Sequence, residues 1–195
     1  MGTKVYIGEI MFGTMLNAIK NGVAKDAFRP EFNFIKIKVE GTTVTAYTCD
    51  GYTGAKMTFK ARKTEGEDFE CYIKPIPFKA RKNGCGAVML ALEENVAILE
   101  IPTEYGTLTY RFGQSIKWSF DADKVFGTME SHDREVGINS ALMARIMRNL
   151  ASVSSDRNKL AVMETKKNNK QGFRIRVKEK DFTLDQFIMP VRIKE

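Results

Sequence analysis

Residues 35–51 read Ile35-Lys36-Ile37-Lys38-Val39-Glu40-Gly41-Thr42-Thr43-Val44-Thr45-Ala46-Tyr47-Thr48-Cys49-Asp50-Gly51. Ile35, Ile37 and Val39 alternate with Lys36 and Lys38, the period-two pattern of a half-buried strand. Glu40-Gly41-Thr42 turns the chain into a second strand over residues 43–48, and Cys49-Asp50-Gly51 breaks it. Downstream, strands are expected over residues 55–62 and around residues 69–74. Upstream, residues 11–23 read as an amphipathic helix. Phe12, Met15, Leu16, Ile19 and Val23 share one face and Asn17, Lys20 and Asn21 the other. Asn21-Gly22 ends this helix, and Arg29-Pro30 forbids its continuation. The first unit is thus a helix followed by strands.

The same order recurs further on. Residues 75–83 are short, basic and expected to be helical, and Gly84-Cys85-Gly86 ends them. Strands over residues 87–92, 96–101 and 106–112 follow, joined by tight turns at Glu93-Glu94-Asn95 and Thr103-Glu104-Tyr105. Residues 115–133 show no sustained period and form a connector anchored by Trp118 and Phe120. A third unit opens at Val136. Asn139 or Ser140 caps a helix with Leu142, Met143, Ile146, Met147 and Leu150 on one side. Strands over residues 160–164, 173–178 and 186–193 complete it. A helix-then-sheet unit recurring roughly every 60–70 residues points to duplication, although such an order also arises unrelated in α+β proteins.

Composition narrows the class. The 195 residues are 43% apolar and 28% charged, enough for a real core and unlike a disordered tail or a disulfide scaffold. No apolar run is long enough to cross a bilayer, and residues 1–8 lack a secretory pattern, so a cytoplasmic protein is expected. The odd cysteines Cys49, Cys71 and Cys85 have no CxxC spacing and read as free thiols. A net charge of +7 suits a polyanion such as DNA or RNA, and it also suits simple solubility. The single histidine, His132, has no nearby Cys or paired carboxylates. Neither a GxSxG nor a Walker A sequence is present, and Gly51-Tyr52-Thr53-Gly54 and Gly84-Cys85-Gly86 read as turns. The sequence therefore predicts a non-enzyme, with no catalytic residue, metal or cofactor.

Three stretches resemble the bacterial DNA polymerase III beta subunit, the beta sliding clamp. Residues 40–52 are similar to its strand–turn–strand with a T-D-G-[HY]-R-[LM]-A turn. Phe187-Ile188-Met189-Pro190-Val191-Arg192 resembles its terminal Y-V-[VIL]-M-P-[MIV]-[RK]. Val136-Gly137-Ile138-Asn139 with residues 142–150 resembles G-F-N-x-x-Y-L-x-x-[VA]-L of its last domain. Departures accompany the likeness. Cys49, Thr53 and Gly54 replace the turn's usual Thr, Arg and Leu, and residues 120–127 lack both prolines of a F-P-D-Y-x-x-V-[LI]-P connector.

The resemblance implies an α+β DNA clamp fold of repeated helix-plus-antiparallel-sheet units, in a divergent, shortened homologue of the kind a phage or mobile element encodes. Residues 1–115 would form one clamp-like domain, most like the middle one. Residues 116–133 would be a connector, and residues 134–195 a C-terminal unit like the second half of the last domain. The implied function is a homo-oligomeric processivity factor that encircles double-stranded DNA and tethers a DNA polymerase or another clamp-binding protein. Helices would present Lys20, Lys25, Arg29, Lys79, Arg81, Lys82, Arg145, Arg148 and Arg157 to phosphates. Arg145 and Arg148, at i and i+3, are expected away from the Leu142/Ile146/Leu150 stripe. A partner-peptide pocket would use Phe32, Gly51, Tyr52, Thr53, Phe126, Met189, Pro190, Val191 and Arg192. Alternative readings are a non-ring clamp-like decoy or regulator, and a basic nucleic-acid-binding module using Lys36/Lys38 and Arg174/Arg176/Lys178.

Overall fold

A computed structural model describes residues 2–24, 29–51, 53–81, 85–116, 118–127, 140–153, 162–164 and 173–189. The first half of the chain runs β1 (Thr3–Gly8), α1 (Glu9–Ile19), β2 (Ile35–Glu40), β3 (Thr43–Cys49), β4 (Thr53–Lys60), β5 (Lys63–Glu65) and β6 (Phe69–Ile73). Then come β7 (Ala87–Glu93), β8 (Val96–Thr103), β9 (Gly106–Gly113), α2 (Ala122–Gly127), α3 (Ser140–Val153), β10 (Val162–Glu164), β11 (Phe173–Lys178) and β12 (Phe182–Ile188). The strands form two sheets, ordered β5-β1-β7-β8-β9 and β10-β11-β12-β4-β3-β2-β6. Every pairing is antiparallel. The chain is thus α+β, as expected.

Alternation decides which face of each strand is buried. Ile35, Ile37 and Val39 of β2, Val44 and Ala46 of β3, and Ala55, Met57 and Phe59 of β4 all point into one core. Helix α1 lays Phe12, Met15, Leu16 and Ile19 into that core, and α3 adds Ile146 and Leu150. The five-stranded sheet contributes Val5, Ile7, Val88, Leu90 and Leu99 to the same cluster. Strand β12 pairs with β4 from Phe182↔Phe59 to Ile188↔Thr53, so the C-terminal strands extend the sheet built by the first unit. At Gly54 a Cβ would overlap the ring of Phe187 opposite, so a side chain there would push β12 off its register.

Several elements differ from expectation, each for a physical reason. The first helix starts at Glu9 rather than residue 11 and gives way to a 3-10 turn at Lys20–Gly22. The Thr48 hydroxyl there donates to the Ile19 carbonyl at 3.0 Å, and Gly22 lies hard against Thr48. Residues 75–81 are not helical. Pro75 and Pro77 remove backbone donors, and Phe78 packs edge-on against Phe12 at 5.1 Å, holding the segment extended. Strand β1 was not expected; its Val5 and Ile7 are fully buried between β5 and β7. The last strand spans Phe182–Ile188 instead of residues 186–193, of which 190–193 lie outside the described residues. Inside the connector, residues 122–127 form α2. No helix among the described residues is long and apolar enough to cross a membrane. Cys49 and Cys71 are buried thiols and Cys85 an exposed one, none of them in a disulfide among the described residues; burial pushes the Cys49 thiol up to about 11.

Candidate DNA-facing helices and partner site

Helices α1 and α3 meet near their ends, where the Asn21 side-chain amide donates to Asn149 Oδ1 at 2.8 Å. Lys20, one residue from this bond, is exposed and donates to Asn17 Oδ1 at 2.9 Å. Arg148, adjacent to Asn149, is also exposed, and its Nε approaches the Ala144 carbonyl at 3.4 Å. Lys79 is exposed beside a groove walled by Phe78, Arg81, Ile101, Tyr105 and Leu108. Arg29 is exposed with its guanidinium 5.8 Å from the Phe32 ring centre. Lys25, Lys82 and Arg157 lie outside the described residues.

Two of the expected DNA-facing arginines are engaged inside the chain. Arg81 pairs with Glu9, whose carboxylate is buried, at 2.6 Å from Nη2 and 2.9 Å from Nε. Glu9 opens α1, where a carboxylate suits the helix N-terminus, but a charge buried that deeply also needs a cation. That hydrogen bond holds the Arg81 pKa above its ordinary value. Arg145 does not face away from the apolar stripe. It lies one helical turn from Leu142, on the stripe's flank, so its long arm reaches the turn between β3 and β4. There its Nη2 meets Asp50 Oδ2 and the Thr53 hydroxyl. Asp50 in turn accepts from the Thr53 backbone N–H at 2.7 Å and from its hydroxyl at 3.1 Å. One carboxylate thus fixes the turn to itself and the turn to α3.

That turn borders a second, smaller core on the outer face of the seven-stranded sheet. Phe32, Phe34, Tyr47, Cys49, Tyr72 and Phe187 line it, and the connector lays Trp118 and Ala122 across it. Trp118 stacks on Phe120 at 5.1 Å, and Phe32 stands edge-on to both, at 6.1 Å and 5.8 Å. The indole N–H of Trp118 donates to the Glu31 carbonyl at 2.9 Å. Asp123 of α2 closes the arrangement. Its carboxylate accepts from the Tyr47 hydroxyl at 2.6 Å, from Lys56 Nζ at 3.1 Å and from Lys38 Nζ at 3.3 Å. Burial by itself would raise the Asp123 pKa, but the Tyr47 hydroxyl and the two ammonium groups outweigh it and hold it at about 2. Burial first, and then the bond to Asp123, push the Tyr47 phenol well above its ordinary value.

Of the expected peptide-pocket residues, Phe32, Gly51 and Thr53 come together at this turn. Gly51 takes a left-handed φ of +88° there, and a Cβ would run into the Arg29 guanidinium. Met189 is half-exposed one residue past Ile188, the register partner of Thr53. Tyr52, Pro190, Val191, Arg192 and the Phe126 side chain lie outside the described residues. The sequence placed Trp118 and Phe120 as anchors but gave no sign of Asp123, because its three donors come from three different strands.

No family model matches the sequence, and no curated protein matches it. Solved structures do match. DNA polymerase III beta subunit from Thermotoga maritima superposes with a TM-score of 0.71 at 10% identity, over 99% of this chain and 66% of that one. The sliding clamp from Bacillus subtilis gives 0.65 at 11% identity over 98% and 64%. The Helicobacter pylori beta clamp bound to a DNA ligase peptide gives 0.64 at 10% identity over 97% and 65%. The chain therefore spans just under two thirds of the length of these clamps. With its two antiparallel sheets and neighbouring helices, it has the fold of the DNA polymerase III beta-subunit sliding clamps.

Proposed function

We propose that the chain is a sliding-clamp-like processivity factor that assembles with further copies of itself around duplex DNA and tethers a polymerase or other partner. The observation that carries this reading is the clamp fold over nearly the whole chain, with α1 and α3 joined side by side, Lys20 exposed in the 3-10 turn just after α1 and Arg148 exposed on α3. Topological retention needs no strong or sequence-specific contact, so a few mobile phosphate contacts suffice. No catalytic step belongs to the proposal. Residues 1–115 act as one clamp-like domain, residues 116–133 as the connector and residues 134–195 as the C-terminal unit.

The sheet edges support assembly. Strand β5 is only three residues long and charged. The β6 edge is capped, because the Gln114 amide accepts from Tyr72 N at 2.7 Å and donates to Tyr72 O at 2.9 Å. Strand β9 has eight residues, no proline and no partner strand on its far side among the described residues. Leu108 within it is 46% exposed and Tyr105 in the turn before it 97%. An edge of that length and apolar character is one that proteins normally cover.

The test is retention on DNA. The protein, loaded on a nicked circular plasmid at moderate salt, should stay bound through gel filtration and slide off once the plasmid is linearised. Equal loss from both forms overturns the ring. The internal pairing of Arg81 and Arg145 favours the second reading, a clamp-like regulator that binds partners without encircling DNA. A monomer at micromolar concentration that still binds partner peptides would establish it.

A further inference from the structure

The connector does more than cover apolar surface. A strap that only shielded a sheet face would need apolar side chains and little else. Here the contact also has directional parts. The Trp118 indole donates to a backbone carbonyl, and Asp123 takes three donors, from β2, β3 and β4. Without the connector, the outer face of the sheet would present an aromatic floor of Phe32, Phe34 and Phe187, with Tyr47, Lys38 and Lys56 at one end. That surface has an apolar middle and an end where Lys56 and Lys38, the latter also paired with Glu40 at 2.9 Å, supply positive charge, and it adjoins the turn of Gly51 and Thr53.

We propose that this face is a peptide-docking groove and that residues 118–123 are its resident occupant, which a partner must displace. The occupant defines the partner's chemistry: a short segment with two aromatic anchors at i and i+2, as Trp118 and Phe120, leading into a helical turn that carries a carboxylate three residues further on, as Asp123. The basic end selects for that carboxylate by charge complementarity, and the aromatic floor accepts the anchors. This rests on the reading of the chain as a tether for partners and identifies the class of peptide it takes. A tether gives the resident segment a millimolar effective concentration, so an incoming peptide of equal quality competes poorly until the strap is weakened.

The test uses the full chain and a labelled synthetic peptide of residues 114–125, read by fluorescence anisotropy. The double variant Trp118→Ala/Phe120→Ala should bind this peptide at least tenfold more tightly than the unaltered chain. Adding Lys38→Ala and Lys56→Ala to it should cost at least tenfold of that affinity. If circular dichroism shows the double variant unfolded, Asp123→Asn takes its place, since this carboxylate is half-exposed. It should bind a Trp118→Phe version of the peptide several-fold more tightly than the unaltered chain. The emission of the protein's single tryptophan should then shift to the red as it leaves the groove. Equal affinity for the unaltered chain and every folded variant, or no binding to any of them, overturns the proposal. Plasmid retention reports on the clamp reading separately, so either can fail alone.

Discussion

Replacing Arg145 separates two roles that one charged residue on a helix could have. If its guanidinium met DNA, Arg145→Met would leave folding stability within about 0.5 kcal/mol, as for most surface changes. It would also lower the salt dependence of DNA binding by about 0.9 in the log–log slope, the value for one phosphate contact. The structure predicts the reverse. Arg145 and Asp50 form an ion pair whose side chains are only 25% and 11% exposed. A hydrogen bond to a charged group contributes about 1.5–3 kcal/mol, and Asp50 would lose this cation while keeping its two Thr53 bonds. Methionine retains most of the stem's packing. The Arg145 Nε is buried without a partner, so its removal offsets part of the loss. A net destabilisation of about 2 kcal/mol results. At a urea m-value of about 2 kcal/mol/M, the unfolding midpoint should fall by about 1 M. Asp50→Asn in the same background should be far less than additive, with a coupling energy of about 1 kcal/mol or more. Arg148→Ala is the control, with unchanged stability and a flatter salt slope. An Arg145→Met protein of unaltered midpoint and reduced salt slope would refute the placement of this side chain.

Three other outcomes follow from the geometry. Gly54→Ala puts a Cβ into the Phe187 ring and should cost about 1–3 kcal/mol in urea unfolding, where the same change at exposed, unobstructed Gly113 should not. Asp123 has its pKa lowered from 3.8 to about 2 in the folded chain, so its contribution is complete above the unfolded value and is lost as pH falls through that interval. Its side chain is 48% exposed, so after discounting for solvent screening the amount is about 1 kcal/mol or less. Thermal unfolding from pH 6 to pH 2 should show this acid loss shrink in Asp123→Asn. Thr109→Pro removes a donor from β9, and Leu108→Lys charges its apolar side. If β9 is a subunit joint, both should lower the oligomeric mass by light scattering, and an unchanged mass would place the joint elsewhere.

What was legible in the sequence was whatever depends on neighbours along the chain. The Ile35/Ile37/Val39 alternation and the Gly41 turn specify β2 and β3 because both faces of a strand are written two residues apart. The Leu142/Ile146/Leu150 stripe specifies the buried side of α3 for the same reason. Strand β1 was not legible, since Val5 and Ile7 owe their burial to β7, far along the chain. Residues 75–81 misled in the other direction: a basic run suggests a helix face, and two prolines decide against it. At the candidate site, the turn from Asp50 to Thr53 could be read from its Asp-Gly pair. Its attachment to α3 could not, because the wheel position of Arg145 fits both a stripe flank and a solvent face. The connector has no period at all, since Trp118 and Phe120 meet the turn at Glu31 and Phe32 while Asp123 meets three strands.

The fate of the basic surplus bears on how such a chain could hold DNA. A charge of +7 invites the inference that every arginine on a helix is available to phosphate. Yet Arg81 and Arg145 are committed to carboxylates, at Glu9 and Asp50, that are largely shielded from water. A shielded carboxylate without a cation would cost several kcal/mol, so the fold takes its pairing before the surface does. Among the described candidates, Lys20, Arg29, Lys79 and Arg148 are exposed. Contacts from these four side chains alone give weak binding that weakens further with salt. The same few charges suit a closed ring, where topology supplies the retention and weak contacts leave the protein free to move. The clamp reading therefore does not require a strongly basic helix face; it requires closure, and the β9 edge, which no strand among the described residues covers, is where closure can be tested.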